Sequence, residues 1–247
     1  MHSSKTNRAP KKESNPGITV VIPAYNEEKL LTKTLACLKA QSYKNFDIIV
    51  IDNNSTDNTA TVAKLYNAKV IREKKQGYVH ALNRGLKEAT GKIIAVTDAD
   101  SQPDPKWLHH IAQSMGKKNV VGLTGMAKFD IKSKPLRLLV DNSYMLFMYA
   151  NFFLGKPHIN GFNLAVKKKY VDLLGDLNPA YQIGADVHLG LSLKQYGKIK
   201  FTKQAIVLTS TRRWQKEAKK SFTKYSAAYL YTVWFRKPLP SHLTAVR

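Results

Sequence analysis

The chain has 247 residues, of which 43% are hydrophobic, with 13 Gly and 10 Pro. That length suits one large or two small domains, and the composition excludes a disordered or collagen-like chain. With 40 Lys and Arg against 17 Asp and Glu the formal charge is +23, which implies an anionic partner: nucleic acid, an acidic membrane surface or a phosphorylated substrate. The single cysteine, Cys37, excludes an internal disulfide framework and a cysteine-based zinc site, and fits a reducing compartment.

Residues 1–16 are polar and basic with no apolar stretch, so they read as a disordered basic tail without a secretory signal. From Gly17 the pattern alternates between strand and helix. Ile18 to Ile22 is a short β-branched run of the kind found in buried parallel strands, and Pro23 to Asn26 breaks it. Leu30, Leu31, Leu35 and Leu38 then recur at helical spacing. Phe46 to Ile51 predicts a second buried strand, followed by a polar turn from Asp52 to Asp57 and a capped helix over Thr59 to Tyr66. Ala68 to Arg72 predicts a short third strand, Tyr78 to Glu88 a helix, and Lys92 to Thr97 a fourth strand after the stop at Gly91. Strands alternating with helices give an α/β class with a mostly parallel sheet covered on both faces. The most apolar later segment, Leu136 to Leu154, is interrupted by Arg137, Asp141, Asn142 and Asn151. A spanning helix wants about 20 predominantly apolar residues, so no transmembrane helix is read there.

In open parallel sheets ligands sit outside the carboxyl ends of the strands. Polar residues cluster at those ends: Tyr25, Asn26 and Glu27 after the first strand, Asp52 after the second, Asp98 and Asp100 after the fourth. Each alone could be a cap or turn former; together, on one edge of one sheet, they point to a site. Asp98-Ala99-Asp100 sits in a turn, where two carboxylates can offer hard oxygen ligands to Mg²⁺ or Mn²⁺ and leave open positions for phosphate oxygens.

At this point the sequence resembles family 2 glycosyltransferases of the GT-A fold. The resemblance is carried by residues 20–60 (VVIPAYNEEKLLTKTLACLKAQSYKNFDIIVIDNNSTDNTA), by Gly77 to Leu108 with its TDAD segment, by Asn160 to Gly175 (NGFNLAVKKKYVDLLG) and by Gly184 to Ile199 (GADVHLGLSLKQYGKI). It implies a GT-A domain over residues 17–211, with a nucleotide-binding half (17–103) and an acceptor half (104–211), followed by a helical extension over 212–247. It also implies roles. Pro23, Tyr25 and Glu27 would line the nucleotide base and ribose, Asp52 would hydrogen-bond the base, and Asp98 would lie near the ribose or donor sugar. Asp100 would bind a divalent Mn²⁺ or Mg²⁺ ion bridging the diphosphate, with Gln102 as a second ligand. Asp186 falls where the family places its general base for an inverting displacement. The implied donor is a UDP- or GDP-linked sugar; a polyprenyl-linked or other lipid acceptor is the expectation of the interfacial readings given below.

The sequence departs from the family pattern at two places. Glu usually precedes the base Asp, but Ala185 stands there. Processive members carry Gln-x-x-Arg-Trp, whereas this chain has Ser210-Thr211-Arg212-Arg213-Trp214, which favours transfer of a single sugar. Arg213 has two readings, a contact to the diphosphate or a solvated helix-end arginine. His188, two residues past Asp186, reads as a structural neighbour.

The charge has its own place in the sequence. Trp214, Ala218, Phe222, Tyr225, Tyr229 and Val233 fall on one helical arc, with Arg213, Lys216, Lys219, Lys220 and Lys224 outside it. Such a helix suits an anionic bilayer interface, or it packs its apolar face on the domain and leaves a solvated basic side. Leu136 to Leu154 carries the same pair of readings, interfacial segment or core helix under the acceptor site. The interfacial readings put the enzyme in the cytoplasm, peripheral on the inner face of the membrane. A basic nucleic-acid-binding protein is the main rival, but no recognition motif is present and the aspartates would be unexplained, so no nucleic-acid partner is expected. A second rival, an inactive relative, keeps the fold. The lack of a Gly-rich loop after the first strand speaks against a nucleotidyltransferase and a dinucleotide oxidoreductase.

Overall fold

The computed structural model describes residues 17–181, 183–212 and 218–240. Four strands come first: β1 (Ile18–Ala24), β2 (Phe46–Asp52), β3 (Lys69–Arg72) and β4 (Ile93–Val96). Between them lie α1 (Glu28–Lys39), α2 (Thr59–Leu65) and α3 (Tyr78–Glu88). All four strands are parallel, in the order β3-β2-β1-β4, as the alternation of strand and helix predicts.

Beyond β4 the sheet becomes mixed. It continues through β7 (Leu164–Lys167), β6 (Val120–Phe129), β8 (Lys198–Thr209) and β5 (Ser101–Pro103), giving eight strands in one sheet. The β4–β7, β6–β7 and β5–β8 pairs are antiparallel, and β6–β8 is parallel. The remaining helices are α4 (Trp107–Met115), α5 (Lys134–Phe153), α6 (Lys168–Leu174), α7 (Ala185–Leu193) and α8 (Ala218–Leu230), which runs into a π-helical turn over Tyr231–Phe235.

Alternate residues of the strands feed two cores. Val20, Ile22 and Val50 pack with Leu31 and Leu35 of α1 and Leu108 and Ile111 of α4 on one face. Val21, Ile49 and Ile51 pack with Val79 and Leu82 of α3 and Leu189 of α7 on the other. With both faces covered, the strands need continuous apolar runs, and that is what made them readable. Trp107 is fully buried and donates its indole N–H to Asn163 Oδ1 at 2.9 Å. The Asn163 amide in turn donates to the Met126 and Ala205 carbonyls at 3.1 and 3.0 Å, tying α4 and β7 to β6 and β8. Truncating Trp107 to Ala would cost about 3–5 kcal/mol on volume alone and would also leave that amide oxygen without its donor.

The C-terminal segment packs inward at its described end. Val233 is buried with Val187 and Leu191 of α7, and Tyr229 lies against them. Arg213, Trp214 and Lys216 of the expected basic helix lie outside the described residues, as do the 1–16 tail and residues 241–247. No helix among the described residues is long and apolar enough to cross a membrane.

Candidate active site

The carboxyl edge of β1, β2 and β4 brings together the residues that the strand pattern singles out. Pro23 pairs with Ile51 and Ala24 with Asp52 in the register of the sheet. The Thr97 N–H bonds the Val21 carbonyl at 3.2 Å, so Asp98 leaves the sheet beside them. Tyr25 stands exposed above this edge. Asp52 is buried, and its Oδ1 accepts the Ser55 N–H at 3.0 Å, which closes the turn after β2.

That turn and the one after β1 are stitched to each other by side chains. Asn26, at φ 53°, donates its N–H to Ser55 Oγ at 3.1 Å, and its Oδ1 accepts the Thr56 N–H at 2.8 Å. The Glu27 N–H bonds Thr59 Oγ1 at 2.8 Å and the Glu28 N–H bonds Asp57 Oδ2 at 3.1 Å. Glu28 Oε2 accepts the Asn58 N–H at 3.0 Å in return. Burial alone would raise the Asp57 carboxyl, but bonds from the Thr59 hydroxyl and the Glu28 and Thr59 N–H groups outweigh it and hold it below the usual carboxylate range. These loops therefore form a fixed rim. Asn53 extends it: its amide donates to the Glu73 and Lys75 carbonyls and its Oδ1 accepts the Gly77 N–H at 2.8 Å, which sets the start of α3.

The Asp98-Ala99-Asp100 turn is held from both sides. Thr34 of α1 donates its hydroxyl to the Ala99 carbonyl at 2.8 Å, and the Ser101 N–H closes onto the Asp98 carbonyl at 3.2 Å. Ser101 pairs with Thr209 at the end of β8, so the residues after β8 arrive at this edge. Arg212 is the result. Its Nε lies 3.2 Å from Asp100 Oδ2, and its Nη2 hydrogen-bonds Glu27 Oε1. A cavity of about 410 Å³ opens here, lined by Asn26, Glu27, Lys29, Asp57 and Arg212 among others.

Arg212 is the residue at this edge that sequence reasoning did not single out. The motif comparison pointed to Arg213, which lies outside the described residues, while the guanidinium between the two carboxylates belongs to its neighbour. The adjacent pair Arg212-Arg213 was the available signal; choosing between them needs the β5–β8 register.

The donor set at this edge fits a divalent cation held by few protein groups. Glu27 and Asp100 are mostly buried carboxylates already neutralised by a positive charge, the environment a hard cation would also satisfy. Gln102 lies on β5 opposite Leu208. Among the described residues no three His, Cys, Asp or Glu side chains form a closed metal cluster, so an ion here would complete its shell with phosphate oxygens and water.

Asp186 sits among a different set of neighbours. Gly184 precedes it in the left-handed region, at φ +91°, where a side chain would be strained and would press on Thr232 Oγ1 at 2.9 Å. The chain then enters α7, where Asp186 Oδ2 accepts the Gly161 N–H at 2.7 Å and Oδ1 accepts the Val187 N–H at 2.9 Å. Gly161 is required for close approach, since a Cβ there would fall 2.1 Å from the Tyr78 hydroxyl. Next to Gly161, the Asn160 amide donates to the Tyr144 hydroxyl at 2.7 Å, and its Oδ1 lies 2.8 Å from His158 Nε2. Burial first, and then the Asp186 charge, raise the Tyr144 phenol. Burial lowers the His158 imidazole, opposed by Asp186 and by the bond to Asn160. The result is a neutral polar cluster around one carboxylate.

Two sequence features find their reasons here. Ala185 is 1% exposed within the apolar cluster of α3 and α7, so an apolar side chain suits the position where the family pattern has Glu. His188 stacks on Tyr181 with ring centroids 4.2 Å apart.

Comparison with known proteins decides the lineage. The sequence model described as Glycosyl transferase family 2 matches residues 19–174. An uncharacterized protein of Methanocaldococcus jannaschii is 31% identical over 203 residues, covering 72% of this chain and 79% of that protein. The chain belongs to glycosyl transferase family 2.

This glycosyltransferase is also 41% identical to an uncharacterized glycosyltransferase of Mycobacterium bovis over 100 residues, which cover 40% of this chain and 44% of that protein. Its fold is shared with a mannosyltransferase from Pyrobaculum calidifontis solved with GDP-Man and Mn²⁺, at TM-score 0.72 and 20% identity, covering 96% of this chain and 69% of that one. Glucosyl-3-phosphoglycerate synthase from Mycobacterium tuberculosis, solved with Mn²⁺, UDP and glucosyl-3-phosphoglycerate, matches at TM-score 0.66 and 18% identity, covering 92% of this chain and 82% of that one. The mixed sheet with its parallel donor half is thus the GT-A fold of nucleotide-sugar glycosyltransferases.

Proposed function

We propose that the enzyme transfers one sugar, with inversion, from a UDP- or GDP-linked donor to a lipid-linked acceptor at an anionic membrane surface. The observation that carries the donor half of this reading is the convergence of Glu27, Asp100 and Arg212 at the carboxyl edge of the parallel strands. Pro23, Tyr25, Asp52 and Asp98 lie on the same edge and would hold the base and ribose. A divalent ion held by Asp100, with Gln102 beside it, would supply charge for a departing nucleotide diphosphate. The two solved neighbours contain Mn²⁺ with GDP-Man or UDP, which supports a diphosphate donor and a metal of this kind.

The residues of the chain have distinct tasks in this reading. Arg212 leaves its two carboxylates and turns to the diphosphate when donor and metal enter, which replaces Arg213 in that role. Asp186 takes the proton of an acceptor hydroxyl while Asn160, Tyr144 and neutral His158 exclude water and orient the acceptor. The N–H groups of Gly161 and Val187 hold the carboxylate in place. In this reading Asp186 acts from the far side of the sugar, so direct displacement inverts the anomeric carbon. The basic composition and the lack of acids after Glu217 support an anionic surface as the place of work. The test is a donor panel screened for metal-dependent nucleotide release, followed by transfer to a lipid-linked sugar that offers a free hydroxyl, with the product's anomeric configuration read by NMR. Inverted product from one donor supports the reading, and retained configuration overturns the role of Asp186.

A further inference from the structure

Helix α5 is amphipathic the wrong way round for a core helix. Leu139, Leu146 and Phe153 recur seven residues apart, so they form one stripe along the helix. They are 64%, 69% and 89% exposed. The opposite face carries Asp141, Met148 and Asn151, all buried, with Tyr144 between them. The Asp141 carboxylate accepts the Phe129 N–H at 3.2 Å, and Asn151 Oδ1 accepts the Tyr229 hydroxyl. Polar groups are thus bonded inward while leucine and phenylalanine point out.

The exposed stripe continues onto the C-terminal turn. Lys156, just past α5, lies 4.6 Å over the Trp234 ring and donates to the Val233 carbonyl at 3.4 Å. The Phe147 and Tyr229 rings meet edge-on at 5.6 Å. Trp234 and Phe235, each 63% exposed, therefore extend the apolar surface beside the end of α5. Contiguous patches of this kind on a soluble surface mark a partner.

Charge selects the partner. Exposed Lys132, Lys134 and Arg137 flank one end of the patch, and exposed Arg236 and Lys237 flank the other. From residue 131 to 158 the one carboxylate is Asp141, which is turned inward. An apolar stripe with an indole, rimmed by five cations against one exposed acid next to them in sequence, Asp130, matches an anionic bilayer interface rather than a protein partner with mixed charge.

We infer that the Leu139–Leu146–Phe153 stripe, with Trp234 and Phe235, beds into an anionic lipid surface, and that the acceptor reaches Asp186 past the inner face of α5. The second part follows from the bonding. Tyr144 of α5 accepts from Asn160, and the next residue, Gly161, donates to Asp186. One helix diameter, about 10 Å, therefore separates the outer stripe from the Tyr144–Asn160 cluster, and Asp186 lies one further bonded layer inward. A helix lying in the interface buries its apolar face roughly 5–10 Å deep, so a headgroup would stand level with the Tyr144–Asn160 cluster. The inference rests on the membrane half of the proposed function and moves the contact from the arc of the C-terminal helix to α5 and the turn.

The test is flotation of the full chain with vesicles of phosphatidylglycerol and phosphatidylcholine, beside phosphatidylcholine alone, for wild type and for the Leu146→Glu, Phe153→Glu double variant. Both side chains are mostly in solvent, so the variant should keep its melting temperature and its metal-dependent nucleotide release. We expect wild type to float with the anionic vesicles and the double variant to bind at least tenfold more weakly. Equal binding of both proteins would overturn the α5 assignment while leaving membrane association standing. No flotation of wild type would overturn membrane association itself. A wild-type dimer without lipid that the double variant converts to monomer would assign the stripe to a second copy of the chain and overturn the inference.

Discussion

The two halves of the molecule solve different problems by different means. The donor half is a parallel sheet with both faces buried, and its site is a rim of short loops bonded to one another at Asn26, Ser55, Glu28 and Asp57. The other half is a mixed sheet region where Asp186, the proposed base, is fixed by two backbone N–H groups and lies near Tyr144, His158 and Asn160 from a loop and an outward-facing apolar helix. A diphosphate requires fixed charge, which loops on a rigid sheet edge supply. An acceptor requires shape and a route in, which a helix lying on the surface supplies.

The comparison can be broken from either side. The largest effect is expected at the donor edge: Asp100→Ala should lower both transfer and donor hydrolysis by on the order of 10³-fold while the melting temperature holds, since charge stabilisation of the leaving group is lost. Steady-state assays with a nucleotide-release readout would detect this, and full activity would remove Asp100 from the metal site. At the acceptor wall, Asp186→Asn should lose about 10²-fold or more of transfer yet bind donor normally by calorimetry. Normal transfer would move the base elsewhere.

Arg212→Ala tests the assignment of the guanidinium. A charge-assisted pair is worth about 1.5–3 kcal/mol, so donor affinity should fall roughly 10- to 100-fold. Arg213→Ala should have a smaller effect, and the reverse order would return the role to Arg213.

The smallest effect concerns pH. Burial lowers the His158 imidazole from its ordinary value of 6.5, so the unfolded chain takes up that proton more readily than the folded one. Stability from this site is therefore present above pH 6.5 and falls as the pH drops below it. Thermal melts from pH 7.5 to 5 should show a shallower decline in His158→Gln, with His188, also lowered chiefly by burial, accounting for part of what is left.

Legibility followed the same division. In the donor half the apolar runs of β1, β2 and β4 and the helices between them could be read directly, because a doubly covered parallel strand shows as a short β-branched apolar run bounded by turn residues. The polar residues at the strand ends could be placed on one edge for the same reason. The second half resisted. The sequence of α5 is equally consistent with a core helix and a surface one, because periodicity shows a stripe but not which side faces the protein. Only the inward bonding of Asp141, Tyr144 and Asn151 decides it. The described end of the C-terminal arc went the other way: Val233 is buried against Val187 and Leu191. Asn163, whose bonds join α4 and β7 to two other strands, carries no sequence mark at all, since its partners are carbonyls distant in the chain.

The central claim is that charge handling and proton removal rest on separate sets of residues. Donor hydrolysis and sugar transfer, measured side by side for wild type, Asp100→Ala and Asp186→Asn in the presence of Mn²⁺, test it most directly. The account predicts that Asp100→Ala loses both reactions, whereas Asp186→Asn loses transfer and keeps donor binding and slow hydrolysis. Equal loss of both reactions in Asp186→Asn, or retention of both in Asp100→Ala, would contradict it.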